Sequence, residues 1–308
     1  MQIPTVLVLG ATGRIGTILR KSWSQDPIWG QNPGKVVWQT RHDFAGIGPD
    51  WCVLDPLRQP KALARAAAWL AGQKGQAVIL CLAGVVPGQS RAGGAEGDLA
   101  DNTALAKAAI RAGQVAGARV LLASSAAVYG NQAENQAGVL DEAAPLAPQN
   151  DYARAKVAME TRGATLGAKL GVPVTSLRIG NIAGIDAILG GWRPGFQLDQ
   201  FADGGTPQRS YIGMLTLARV LGDLVLAKNL PEVLNVATPG MMEMSALLDA
   251  AGLAWTPRPA PDSAIARVCL STRALERFTS LSDAEATASE MLRQWRLLEP
   301  VLKRDTPE

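Results

Sequence analysis

Short β-branched, apolar runs alternate with longer alanine-rich stretches through the first half of the chain. The runs Thr5 to Leu9, Lys35 to Gln39, Trp51 to Leu54, Ala77 to Leu82, Arg119 to Ala123 and Val172 to Arg178 predict strands. Between them, Ile15 to Trp23, Leu57 to Ala71, Leu99 to Ala116 and Tyr152 to Leu170 are rich in Ala, Leu, Lys and Arg, which favours helices. The strands are apolar at successive rather than alternate positions, the pattern of a sheet covered by helices on both faces. Strand alternating with helix calls for parallel pairing, so the expected fold is α/β with a doubly wound parallel sheet.

The rhythm breaks after Arg178. Gly184 to Pro207 is rich in Gly and Pro and carries Trp192, Arg193 and Phe196, which reads as a loop covering a site. A helix over Leu217 to Ala227 and a strand over Val233 to Val236 restore the alternation, and a smaller helical region is expected over the remainder.

Composition removes several function classes. With 308 residues, 47% hydrophobic and 19% charged, the chain can bury a large core. Lys plus Arg is 30 against 27 for Asp plus Glu, and no basic stripe stands out, so nucleic acid is not an expected partner. Cys52, Cys81 and Cys269 lie far apart without CxxC spacing, and His42 is the single histidine. A zinc site, a disulfide framework and Ser-His-Asp catalysis are therefore not expected, and no metal is assigned. The longest apolar run, Ala77 to Val86, is about half the ~20 residues a membrane span needs. The stretch Val6 to Leu9 runs into a glycine loop rather than a cleavage site, and a cytoplasmic location is expected.

The first strand is followed directly by Gly10-Ala-Thr12-Gly13-Arg14-Ile15-Gly16, which opens a helix. Glycine lets backbone approach a pyrophosphate, and the helix N-terminus offers it unpaired N–H groups. Close packing explains Gly16 equally well but gives Gly10 and Gly13 no role. NAD-specific sites place an acid at the end of the second strand, to bind the ribose 2′-hydroxyl. Here the segment reads Thr40-Arg41-His42, so NADP is favoured over NAD, with Arg14 as a second cation. Asp55, after the third strand, is placed to meet the adenine or simply to start a helix. Residues 1–178 are thus expected to form a dinucleotide-binding Rossmann domain, to which 211–237 return. Residues 179–210 and 238–308 are expected to form a smaller C-terminal substrate-binding region.

Tyr152-Ala-Arg-Ala-Lys156 sets a phenol and an ammonium one turn apart on one helix face. A cation favours the phenolate, which a tyrosine acting as base near neutrality requires. Leu121-Leu-Ala-Ser124-Ser125-Ala-Ala-Val-Tyr129-Gly130 puts a hydroxyl just beyond an apolar strand, at the carboxyl edge where such sheets bind ligands.

Taken in order, GATGRIG, Cys81-Leu82-Ala83-Gly84, Asn102, SSAAVYG, YARAK and Leu177-Arg-Ile-Gly-Asn181-Ile-Ala-Gly184 resemble the extended short-chain dehydrogenase/reductase family, the NAD(P)-dependent sugar epimerase/dehydratase group. The resemblance spans nearly the whole chain. It implies that Ser125 polarises the substrate oxygen, Tyr152 transfers its proton, Lys156 holds the nicotinamide ribose and Asn102 supports the relay. It makes Tyr129 and Ser124 structural. It also implies that Gly10, Thr12, Gly13, Arg14, Ile15, Gly16, Arg41, Asp55, Leu82, Ala83 and Gly84 line the cofactor. Asn181, Arg209 and Arg258 would then meet substrate, the two arginines by gripping a nucleotide diphosphate, while Trp192 on its own loop either lines the substrate or simply packs. A homodimer pairing the helices Leu99 to Ala116 and Tyr152 to Leu170 is expected.

Three departures qualify this. Relatives that eliminate water place acids directly after the catalytic Ser or Thr, whereas this chain has Ala126 and Ala127, so dehydration is the least expected activity. Met214-Leu215-Thr216 stands where the family usually carries aspartate, and Leu9 replaces the usual threonine before the glycines. Epimerisation or oxidoreduction of a nucleotide sugar is expected first, then NADPH-dependent reduction of a small carbonyl compound. A non-catalytic dinucleotide sensor is the third reading, against which Ser125, Tyr152 and Lys156 argue.

Overall fold

The computed structural model describes residues 2–44, 47–73, 75–87, 97–131 and 138–305. The first half runs β1 (Thr5–Leu9), α1 (Arg14–Trp23), β2 (Val36–Thr40), β3 (Trp51–Val53), α2 (Pro60–Ala71), β4 (Ala77–Cys81), α3 (Asp101–Ala116), β5 (Arg119–Ser125), α4 (Asp151–Leu170) and β6 (Val174–Ile179). Then follow β7 (Asn181–Ile182), β8 (Gln197–Gln200), β9 (Gln208–Arg209), β10 (Tyr211–Ile212), α5 (Met214–Leu226), β11 (Val233–Val236), β12 (Met242–Glu243), α6 (Met244–Ala251), β13 (Thr256–Pro259), β14 (Arg267–Val268) and α7 (Ala288–Asp305).

Seven strands form one sheet in the order β11-β6-β5-β4-β1-β2-β3, with β1 paired in parallel to both β2 and β4. Every residue of β1 and of β4 is buried, as expected of central strands covered on both faces. The chain leaves β1 in one direction and β4 in the other, so the switch point lies between their carboxyl ends, where doubly wound sheets bind ligands. The expected doubly wound α/β fold is the one observed.

Residue packing divides the chain into two units. The first comprises Met1–Ser124, Asn150–Leu177 and Leu221–Val233. Its core includes Leu7, Ile79, Ile110, Leu122 and Met159. α4 starts where the Asn150 side chain accepts the Ala153 N–H at 2.8 Å and stops at Gly171, whose φ of 66° suits glycine. The Arg119 guanidinium donates to the carbonyls of Leu224, Val225 and Ala227 and so closes the C-terminal turn of α5.

The second unit comprises Ser125–Gln149, Arg178–Val220 and Leu234–Glu308. Its apolar core gathers Ile188, Leu198, Tyr211, Leu247, Leu248 and Met291. At the start of α5, Gln294 of α7 accepts the N–H groups of Leu215 and Thr216 at 2.8 and 3.1 Å. A glutamine distant in sequence thus serves the helix end where a local aspartate is missing.

Several expected boundaries need correction. β5 continues through Ser124 and Ser125, so the serines end the strand rather than follow it. α2 begins at Pro60, since proline is at home in a first turn, and α5 begins at Met214 rather than Leu217. The expected loop Gly184 to Pro207 contains β8, which pairs in parallel with β13. The region expected to be helical contains β12, β13 and β14 besides α6 and α7. These strands are short, and β13 (Thr-Pro-Arg-Pro) is exposed throughout, so neither apolar alternation nor length marks them.

Candidate active site

In the first unit, the ends of β1 and β4 are tied together before any side chain is involved, because the N–H groups of Leu82 and Ala83 both donate to the Leu9 carbonyl at 2.9 Å. Gly10 has φ of 85°, and a Cβ there would stand 2.6 Å from the Ala83 nitrogen. A Cβ on Gly16 would stand 2.5 Å from the Gly10 oxygen. Packing therefore demands glycine at both positions, which corrects the expectation that close packing gives Gly10 no role. Gly13 differs, since its Cβ would meet only the Gly10 oxygen, at 3.3 Å. Thr12, Gly13 and Arg14 are exposed, Ile15 is half-buried, and the first turn of α1 has neither a side-chain cap nor an acidic residue. A helix start built this way suits an anion.

Gln39, which sequence reasoning did not single out, pins this loop. Its Oε1 accepts the Gly10 N–H at 2.9 Å and its Nε2 donates to the Leu54 carbonyl at 2.6 Å. The available signal is an amide at a buried strand position, which must find partners. At the end of β2 the Thr40 hydroxyl donates to the His42 carbonyl at 3.1 Å, and Arg41 is exposed beyond it. Asp55 accepts the N–H groups of Leu57 and Arg58 at 2.8 and 3.1 Å, so its carboxylate opens the turn ahead of α2.

Gly84, Asn102 and Lys156 converge. A Cβ on Gly84 would lie 2.9 Å from Asn102 Oδ1 and 3.4 Å from Lys156 Nζ. Asn102 accepts the Val85 N–H at 3.1 Å and donates to the Val85 and Leu99 carbonyls at 3.0 and 3.1 Å, so both ends of its amide clamp the chain beyond β4. Lys156 is buried, donates to the Ala123 carbonyl at 2.8 Å and lies 5.7 Å from the centroid of the half-buried Tyr152 ring. Burial lowers the Lys156 ammonium to about 8. Burial also pushes the neighbouring Cys81 thiol up to about 11. The Ser124 hydroxyl donates to the buried Glu160 carboxylate, one turn beyond Lys156.

In the second unit, Ser125 Oγ accepts the Ala127 N–H at 3.2 Å and opens a 3-10 turn over Ala126–Tyr129. The Tyr129 hydroxyl lies 2.7 Å from Asn235 Oδ1 and accepts from the buried Arg178 guanidinium at 2.9 Å, which fits a structural tyrosine. Asn181 in β7 pairs with Tyr211 in β10. Trp192 is half-buried and donates its indole N–H to the Ala254 carbonyl at 2.9 Å. The two arginines expected to act together stand in different small sheets. Arg209 donates to the carbonyls of Gln208 and Ile265, both at 2.8 Å, whereas Arg258 is paired with Asp199 at 2.6 Å, its direct neighbour across β8 and β13.

Known proteins bear on this arrangement. The chain aligns over 98% of its length with UDP-glucose-4-epimerase from Stenotrophomonas maltophila bound to NAD and formylated UDP-arabinopyranose, covering 100% of that chain at 19% identity and a TM-score of 0.72. The corresponding figures are 95%, 99%, 19% and 0.67 for the Thermus thermophilus UDP-glucose 4-epimerase with NAD. They are 98%, 100%, 14% and 0.72 for dTDP-glucose 4,6-dehydratase from Bacillus anthracis with NAD. At such identities the likeness shows a shared fold. No curated protein matches the sequence. The sequence model of the NAD dependent epimerase/dehydratase family, however, matches residues 6–188, more than half of the chain, and the protein belongs to that family.

Proposed function

We propose that this protein is an NAD(P)-dependent epimerase or oxidoreductase that acts at a carbinol or ketone carbon, with a nucleotide sugar as the first substrate class. The observation that carries the reading is the buried Lys156 ammonium, which faces the Tyr152 ring and lies beside Gly84 at the carboxyl edge of the sheet. The cofactor supplies the hydride acceptor and donor; the chain supplies everything else. Gly13 and the uncapped start of α1 hold the pyrophosphate, and Thr12, Arg14, Ile15 and Leu82 to Gly84 line the remainder of the cofactor site. Lys156 holds the nicotinamide ribose and favours the phenolate of Tyr152, which moves the proton, while Ser125 binds the substrate oxygen. Asn102 keeps the chain after β4 in place. Exposed Arg41, with no carboxylate at position 40, supports NADP over NAD. Alanines at 126 and 127 leave elimination without an acid and base next to Ser125, which makes dehydration the least favoured reaction of the family here.

Tyr152→Phe tests the assignment: cofactor affinity should stay within a few-fold of wild type while turnover is abolished, and retention of a tenth of wild-type kcat would overturn it. UDP or dTDP alone should raise the melting temperature, and Arg209→Ala should remove that shift. A specific observation favours the second reading, reduction of a small carbonyl compound: Arg258 is already neutralised by Asp199, and Arg209 is engaged with backbone carbonyls. Absence of any shift with nucleoside diphosphates at millimolar concentration would decide for it. Homodimerisation through α3 and α4 is part of the proposal, supported by the small residues along both helices and by Val115, which is 47% exposed on α3. A single-chain mass in sedimentation at micromolar concentration would refute it.

A further inference from the structure

Glu160 is a buried acid to which the proposed reaction gives no task. It is 6% exposed and follows Lys156 by one helical turn, so both side chains leave the same face of α4. Consecutive residues of β5 hold the pair: the Ala123 carbonyl accepts from Lys156 Nζ, and the Ser124 hydroxyl, itself buried, donates to Glu160 Oε1. The carboxylate is thereby fixed relative to the ammonium rather than free to swing away.

Among the described residues, β4 contributes the Cys81 thiol, β5 the Ala123 carbonyl, and α4 the Tyr152 ring and Glu160 to the surroundings of Lys156, with the Asn102 amide of α3 beside Gly84. Burial keeps the Cys81 thiol neutral until about pH 11, so it places no negative charge beside the lysine at neutral pH. Among the described residues, Glu160 is then the acid whose charge opposes the loss of the Lys156 proton, in surroundings that otherwise favour that loss.

We infer that Glu160, held by Ser124, is a positioning residue that keeps Lys156 protonated at neutral pH. The consequence for cofactor rests on the proposed contact between Lys156 and the nicotinamide ribose, but the charge state itself does not.

The test follows the 13Cε resonance of Lys156 through a pH titration of the ligand-free protein labelled with 13C-lysine, assigned by its loss in Lys156→Arg. Wild type should titrate near 8 and Glu160→Gln about one unit lower, with Glu160→Asp between them. Ser124→Ala, which keeps the acid but removes its hydroxyl partner, should move the midpoint in the same direction by less and serves if Glu160→Gln fails to fold. Identical midpoints in wild type and in every folded variant of the set would overturn the inference. A second arm measures NADP affinity between pH 6 and 9. Wild type and Glu160→Gln should agree at pH 6, where both lysines are charged, and diverge about fivefold or more by pH 8. Equal weakening at every pH would mean a merely structural role and would count against the inference. If no cofactor binds to wild type at any pH, the dinucleotide reading fails while the NMR titration still decides the role of Glu160.

Discussion

Replacing Tyr129 with phenylalanine removes one oxygen from a sealed polar network and leaves the ring in place. Tyr129 and Asn235 are 0% exposed and Arg178 is 5% exposed, so water cannot substitute for what is lost. The hydroxyl has one proton and two acceptors within reach, Asn235 Oδ1 at 2.7 Å and the Asp141 carbonyl at 3.1 Å, and the shorter contact is the stronger claim on it. It also accepts from Arg178 at 2.9 Å. The substitution deprives Asn235 Oδ1 of its donor and costs Arg178 an acceptor, although the Glu142 carbonyl still receives that guanidinium at 3.1 Å. An orphaned buried acceptor costs about 1–3 kcal/mol, and a lost bond to a charged donor adds about 1–2 kcal/mol, for a total of about 3 kcal/mol. Unfolding entropy of about 2.1 cal/mol/K per residue over 308 residues gives about 0.65 kcal/mol/K, so the melting temperature should fall by about 5 °C. Scanning calorimetry, with circular dichroism to confirm a native spectrum at 20 °C, measures it. A drop below 1 °C would refute the view that this network supports the turn after Ser125.

Gly84→Ala should weaken NADP binding at least about tenfold and lower the melting temperature by a few degrees, because its Cβ would stand 2.9 Å from Asn102 Oδ1 and open the buried clamp on Val85; titration and scanning calorimetry check it. Cys81, whose thiol is held near 11, should resist iodoacetamide at pH 8 in the native protein and react on unfolding, as mass spectrometry of the labelled peptide would show. Glu290 is held at about 2 by Arg293 and Gln294. A depressed carboxyl stabilises fully above its ordinary 4.5 and loses that contribution as pH falls toward 2, so Glu290→Gln should flatten the fall in melting temperature across that window.

The parts of this fold that were legible in sequence are those fixed by local pattern. β1 and β4 are uninterrupted apolar runs that a two-sided core requires, and the glycines between β1 and α1 answer to backbone geometry that few other residues tolerate. The elements that went unread are held by distant partners. β13 is a strand because β8 lies beside it, and its own Thr-Pro-Arg-Pro sequence offers no apolar face. Gln39, Arg119 and Gln294 act on backbone groups 15 to 108 residues away, and nothing local marks those partners. In sequence, Ser124 is a serine beside the candidate substrate-binding Ser125 and Glu160 one more helical acid; only the packing of α4 on β5 makes them a pair. The two candidate phosphate-gripping arginines show the converse. Sequence order suggested a common task, whereas Arg258 answers first to Asp199.

The dinucleotide site proposed at the glycine loop, Arg41 and Lys156 should prefer the 2′-phosphate. Calorimetric titration of NADP and NAD into the wild-type protein tests it most directly. Saturable binding of both is expected at one site per chain, with NADP at least about tenfold tighter, which corresponds to ~1.4 kcal/mol. Equal affinities or tighter NAD would remove the role given to Arg41, and failure of both dinucleotides to bind at millimolar concentration would overturn the proposed site.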